Sequence, residues 1–148
     1  MKKTTLLSLV LLLTISSLSF AKKPLDDKSE GIQFFHGTFK EALAKAKKEK
    51  KMIFMDAYTT WCGPCKYLKS TVFPDKNLGT YMNEKFVCVA IDWESTEGQT
   101  LSQAYVLDAY PTLFFIDANG KTKGTMRGVP QADPAGAIVR EAKKYVGK

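Results

Sequence analysis

Two hydrophobic patterns alternate along this chain, one continuous and one spaced at three and four residues. Continuous apolar runs bounded by charge or turn residues stand at MIFMDAY (Met52 to Tyr58), FVCVAID (Phe86 to Asp92) and YPTLFFID (Tyr110 to Asp117). Short unbroken runs of this kind predict strands covered on both faces. IQFF (Ile32 to Phe35) predicts a short first strand. Between the first two strands Phe39, Leu43 and Ala46 recur at helical spacing, and Thr38 with Glu41 makes a capping box, so a helix is expected from Thr38 to about Lys50. A second helix begins near Gly63 and continues through Tyr67 and Leu68. Pro74 interrupts it, and Asp75 or Asn77 restarts a turn. TEGQTLSQAYVL (Thr96 to Leu107) predicts a short helix. DANG (Asp117 to Gly120) is a hairpin turn leading to a strand around Lys123 to Arg127. Asp133 caps a last helix, with Pro134 at its first position, running to about Val146. The expected order, β-α-β-α-β-α-β-β-α, is that of an α/β domain with a mixed central sheet and helices on both faces.

The start of the chain carries a different signal. Lys2 and Lys3, the apolar Leu6 to Leu13 and the small-x-small Ser19-Phe20-Ala21 form a secretion leader, with cleavage expected after Ala21. A retained membrane anchor is the lesser alternative, because Thr14, Ser16 and Ser17 break the run short of a ~20-residue span. Lys22, where a lipoprotein has Cys, speaks against a lipid anchor. Residues 22–31 are polar and charged and read as a flexible linker, and residues 32–148 as one domain. No repeat or second domain is visible. Removing the leader leaves about 125 residues, close to the commonest domain size.

Charge excludes one class of partner. The full chain carries a net +7, and losing Lys2 and Lys3 leaves +5. The lysines crowd into KEALAKAKKEKK (Lys40 to Lys51), where the apolar residues between them mark a solvated helix face. Arrays of arginine with aromatics, and base-reading motifs, are absent from the sequence. A nucleic-acid partner is not expected, and a monomer is.

The chemistry concentrates in WCGPC, Trp61 to Cys65. Three cysteines are too few for a disulfide-framework miniprotein, and an exported Cys-x-x-C pair does not stay as two thiols unless something reduces it. Three readings remain open: an inert staple, a copper(I) or zinc site using the pair with His36, and an exchanging dithiol. Soft thiolates suit those metals, but a structural zinc site wants four ligands and no second Cys-x-x-Cys accompanies this one. Exchange needs a thiolate, and Cys62 stands where a loop passes into a helix, whose unpaired N–H groups favour negative charge. Cys65 follows about one turn later. Gly63 accepts the sharp approach, and Pro64 fits the first turn without wasting a donor. Asp56, six residues before Cys62 in an otherwise apolar strand, is the candidate for taking the Cys65 proton, since burial raises a carboxyl pKa. The bland alternative leaves Asp56 at an exposed strand end. Cys88 reads as a small buried hydrophobe, against the sharper reading of a regulatory third thiol. His36 reads as a strand-end or turn residue, Trp61 as packing over the motif, and Trp93 as core or rim packing.

From roughly Ile32 to Val146 the chain resembles thioredoxin. WCGPC matches that family's active-site motif, Asp56 falls at its buried carboxylate, and YPT (Tyr110 to Thr112) at its cis-proline loop. The resemblance implies the thioredoxin fold, a cis bond at Pro111, and a substrate groove formed by Trp61, Gly63, Pro64, Tyr110, Pro111 and Thr112. It implies a protein-disulfide reductase whose only redox group is the Cys62–Cys65 pair, without a further cofactor or metal. Its partners would be disulfide-containing proteins and an upstream thiol reductant, such as a membrane electron-transfer protein. KYLKSTVFPDKNLGTYMNEKFVCVAID is similar to the exported branch, including the terminal thiol-disulfide domain of the bacterial inner-membrane electron-transfer protein, which implies a periplasmic location. Three departures stand out: Cys88 occupies the place of the family's lysine near the carboxylate, Tyr58 and Thr59 replace its aromatic-Ala pair, and Tyr110 is bulkier than its aliphatic residue.

Overall fold

The computed structural model describes residues 30–146. The expected leader and all of the linker but Glu30 and Gly31 lie outside the described residues. Ten segments follow: α1 (Phe39–Glu49), β1 (Met52–Tyr58), α2 (Gly63–Tyr67) running on into a π-helical turn (Leu68–Val72), α3 (Lys76–Lys85), β2 (Phe86–Asp92), α4 (Thr96–Leu101), β3 (Thr112–Ile116), β4 (Thr122–Arg127) and α5 (Pro134–Lys143). The sheet order is β2-β1-β3-β4. β1 runs parallel to β2 and antiparallel to β3, and β3 runs antiparallel to β4.

The unbroken apolar runs are explained by helices on both faces. Side chains alternate along a strand, so Phe54, Cys88, Leu113 and Phe115 face Leu68, Val72, Leu78, Met82 and Ile138. Ile53, Met55, Val87, Val89 and Phe114 face Phe39, Ala42 and Ala46 of α1 together with Trp93 and Tyr105. Edge strand β4 reads polar and largely exposed, which is how a sheet margin avoids pairing with a second chain. The capping box at Thr38 and Glu41 forms, and Asp133 caps α5 through Gly136 N–H.

Three features differ from the sequence reading. Ile32 to Phe35 is not a strand. It makes one parallel bridge, Phe34 to Cys88, and its other N–H groups go elsewhere: Ile32 to the Phe73 carbonyl at 2.8 Å and Gln33 to Asn83 Oδ1 at 2.8 Å. Where a restarted turn is expected after Pro74, a full helix stands, capped by Asp75, whose Oδ1 accepts the Leu78 N–H at 2.8 Å. Gly31, assigned to a flexible linker, is buried with φ 129°. It lies against α3 so closely that a Cβ on Gly79 would stand 2.2 Å from the Gly31 carbonyl carbon. Backbone on both sides leaves nothing that can yield. Gly79→Ala is therefore expected to cost about 1–3 kcal/mol through overpacking, read as a lower urea midpoint at unchanged slope; an unchanged midpoint would mean that Gly31 does not hold this place.

Candidate redox site

Strand β1 delivers the chain to the site and α2 holds it there. Cys62 is the N-cap of α2, with extended backbone at φ −68° and ψ 112°, and its Sγ accepts the Cys65 N–H at 3.1 Å. An orphan donor of the first turn is thus aimed at this sulfur, the arrangement that favours a thiolate. Pro64 sits in the first turn, and Cys62 and Cys65 are joined as a disulfide. The π-helical turn behind them, closed by Phe73 N–H to the Leu68 carbonyl at 2.8 Å, seats Leu68 and Val72 in the core and fixes the helix to the sheet. Both cysteines are more covered than the sequence suggests, at 4% exposure each. The surface next to them is open: Trp61 is 63% exposed, and a Cβ at Gly63 would meet nothing within 4 Å. Approach to Cys62 is confined to a small window.

One wall of that window is aromatic. Trp61 stands edge-on to Tyr110 at 5.8 Å between ring centroids, and its Nε1–H donates to Glu94 Oε1 at 2.9 Å. The Tyr110–Pro111 bond is cis. Thr112 is buried and donates its hydroxyl to the Ala109 carbonyl at 2.8 Å as β3 begins. Trp61, Tyr110, Pro111 and Thr112 therefore come together from two distant segments. Glu94 escapes sequence reading, because a glutamate in a polar loop carries no pattern that points to a tryptophan 33 positions earlier.

Asp56 lies on the face of β1 that carries Phe54, between Ala90 of β2 and Leu113 of β3. It is 4% exposed, which answers the alternative of an exposed strand end. Burial pushes its carboxyl up to about 7, with the ammonium of Lys69 pulling weakly the other way. Its Oδ1 has no hydrogen-bond partner, nor does the buried Thr59 hydroxyl. Asp56, Thr59 and Cys65 line one cavity of about 530 Å³, together with Lys66, Lys69 and His36. The small Ala90 in the β2 position opposite Asp56 leaves this space unfilled. His36 follows the Phe34 bridge outside any helix, strand or turn, but shares the cavity with the acid and the second cysteine. Cys88 is buried, and desolvation drives its thiol pKa far upward, so its proton is held tightly. It lies beside Phe54 in the core. Trp93 packs in the core, stacked on Phe114. Among the described residues no group of three or more His, Cys, Asp or Glu is placed to hold a metal ion.

A mixed sheet in the order β2-β1-β3-β4, with a Cys-x-x-Cys pair opening the helix after β1 and a cis proline opening β3, is the thioredoxin fold. Residues 35–118, more than half of the chain, match the Thioredoxin-like family model, and the chain belongs to that family. A solution structure of a candidate disulphide-isomerase from Bacteroides thetaiotaomicron is 37% identical and superposes with a TM-score of 0.67, covering 81% of this chain and 99% of that one. Thioredoxin-1 of Drosophila melanogaster is 38% identical over 71 residues, 48% of this chain and 62% of the fly protein. The thiol:disulfide interchange protein DsbD of Vibrio vulnificus is 32% identical over 98 residues, 64% of this chain and 16% of that much longer protein. The chain thus spans less than two thirds of both of these curated relatives.

Proposed function

We propose that this protein is an exported thiol-disulfide oxidoreductase that works as a protein-disulfide reductase. The observation that carries the reading is the placement of Cys62 Sγ on the Cys65 N–H of the first turn of α2, while Cys65 shares a cavity with a carboxyl that burial pushes up to about 7. In the reduced protein the Cys62 thiolate attacks one sulfur of a substrate disulfide. That S–S bond breaks, one substrate sulfur leaves as a thiolate, and a mixed disulfide forms on Cys62. Cys65 then gives its proton to the Asp56 carboxylate and attacks Cys62 Sγ. The mixed disulfide breaks, the second substrate sulfur leaves, and two electrons have passed from the dithiol to the substrate. A base that titrates near the working pH is present in the form that accepts a proton and still releases it afterwards.

Trp61, Gly63, Pro64, Tyr110, Pro111 and Thr112 form the proposed substrate groove, and its occupants are disulfide-containing proteins. The expected leader supports a periplasmic location, where an upstream thiol reductant, such as a membrane electron-transfer protein, would return Cys62–Cys65 to the dithiol. No further cofactor is needed for this cycle. The test uses the domain from residue 22 onward with insulin as substrate and dithiothreitol as reductant. Catalysed precipitation of the insulin B chain is the expected result; a rate equal to that of dithiothreitol alone would overturn the reading.

A further inference from the structure

A carboxyl that takes the Cys65 proton has to be charged beforehand, and burial at 4% exposure works against the charge on Asp56. A cation nearby would offset that burial. The sheet supplies none, because the register sets Ala90 on one side of Asp56 and Leu113 on the other. Among the described residues, the other titratable and charged groups on its cavity come from three places. Tyr58 belongs to β1, His36 to the segment before α1, and Cys65, Lys66 and Lys69 to α2 and its π-helical continuation. Lys69 stands four positions past Cys65, the spacing at which helical residues share a face, and both line this cavity of about 530 Å³. It is exposed, and among the described residues it forms no ion pair. Its ammonium favours the charged form of Asp56, against the larger effect of burial. Lys66 lines the same cavity without entering into that balance. Asp56 Oδ1 has no hydrogen-bond partner to hold its charge at short range. A charge acting across the cavity therefore counts, since screening near a protein interior is weaker than in bulk water.

We propose that Lys69 is a positioning residue for the second step of the exchange: from across the cavity its ammonium keeps part of the Asp56 population as carboxylate, the form that accepts the Cys65 proton. The proposal rests on the oxidoreductase reading above and names the group that tunes its base. Lys69 acts through Asp56 and takes no proton itself. Cys65 gives its proton to the Asp56 carboxylate, and the Cys65 thiolate attacks Cys62 Sγ. The mixed disulfide breaks, the substrate sulfur leaves as a thiolate, and the Cys62–Cys65 bond forms. Asp56, now neutral, returns the proton to water, and the same cation favours that return. Burial makes the acid a stronger base and Lys69 makes more of it available, so the balance of the two sets the pH at which the step runs.

The test reads the second step alone. A pyridyl disulfide of a cysteine peptide loads Cys62 at acid pH, where Cys65 keeps its proton. A pH jump in a stopped-flow instrument then starts release of the peptide, followed by the emission of Trp61. Lys69→Glu should move the midpoint of the release profile upward by about one pH unit and slow release at neutral pH about fivefold, the low end of the effect of a charge beside a carboxyl. Lys69→Arg should restore the wild-type profile, and Lys66→Met should leave it in place. In an Asp56→Asn background Lys69→Glu should add little, as expected when two residues act through one group. Urea denaturation of the oxidised protein gives a second readout in which no thiol takes part. There the pH at which stability stops falling should rise by the same amount in Lys69→Glu, because the folded carboxyl holds its proton to higher pH while the unfolded one is unchanged. Histidine also titrates near neutral pH, so both series are repeated with His36→Gln. An unmoved midpoint, an equal shift from Lys66→Met, an equal slowing in Asp56→Asn, a shift that vanishes with His36, or a stability curve displaced evenly at every pH would overturn the role of Lys69. If any of these occurs while insulin is still reduced, that role alone falls. If insulin reduction with dithiothreitol also fails, the oxidoreductase reading falls first.

Discussion

Cys62→Ser should bring insulin reduction down to the rate of dithiothreitol alone, whereas Cys65→Ser should complete one attack per molecule and stop. The two outcomes separate because the two sulfurs stand differently in the fold. Cys62 is the N-cap of α2, and its Sγ already accepts the Cys65 N–H. Serine is a preferred N-cap residue, so Cys62→Ser keeps the helix start and removes only the nucleophile. A loss of activity there cannot be blamed on a loosened helix, and circular dichroism should be unchanged. Cys65 is buried one turn on, facing the cavity it shares with Asp56. With serine in its place nothing inside the protein can attack the mixed disulfide, and the substrate stays bonded to Cys62. Non-reducing electrophoresis against an excess of oxidised substrate should show a stoichiometric adduct, discharged by added dithiothreitol. Adducts on Cys65 in the Cys62→Ser protein, with protein substrates and none in the converse variant, would exchange the roles of the two cysteines and remove the mechanism proposed here.

The parts of this arrangement that were legible beforehand are those whose cause is local. Unbroken apolar runs declared β1, β2 and β3, because covering both faces of a strand removes the need for polar positions. Thr38 with Glu41, and Asp133 with Pro134, declared two helix starts through side-chain oxygens that answer free N–H groups within three residues. Cys62 to Cys65 declared themselves by spacing. What stayed hidden depends on distant segments. Helix α3 is built from KNLGTYMNEK, which has a glycine in its interior and few apolar residues. Gly79 is there because Gly31, some fifty positions away, needs room against it. The glycine that weakens the local helical signal is the one the tertiary contact requires. Ile32 to Phe35 failed as a strand for the same kind of reason: beyond the single bridge to Cys88, the donors of Ile32 and Gln33 are claimed by Phe73 and Asn83 rather than by a ladder. Lys69 reads as one more surface lysine, four positions past Cys65, until the cavity places it with Asp56. Glu94 has meaning only beside Trp61.

Asp56 should make the protein less stable as pH rises, and Asp56→Asn should remove that dependence. The sign follows from where the proton is held. Burial raises the folded carboxyl from 3.8 to about 7, so between these values the native state holds a proton that the unfolded chain has released. Stability falls with pH wherever the native state binds more protons. Below about pH 4 the carboxyl is neutral in both states and imposes no penalty. The penalty grows from there to about pH 7 and then levels off, at about 4 kcal/mol for a group this buried, each pK unit being worth about 1.4 kcal/mol. Urea denaturation of the oxidised protein from pH 4 to 9 should show that decline in the wild type and a much flatter curve for Asp56→Asn. The variant should gain most above pH 7, offset in part by leaving its amide as unpartnered as the Oδ1 it replaces. Activity should move the opposite way. Without a carboxylate beside Cys65 the release of substrate from Cys62 should slow by roughly 10²-fold near neutral pH, the lower range for a lost general base. It should recover as rising pH ionises Cys65 without help. Reacting the Cys62 mixed disulfide in a stopped-flow instrument isolates that step. Parallel stability curves for the two proteins would show that Asp56 is charged when folded, and an unchanged release rate would leave the Cys65 proton to another acceptor.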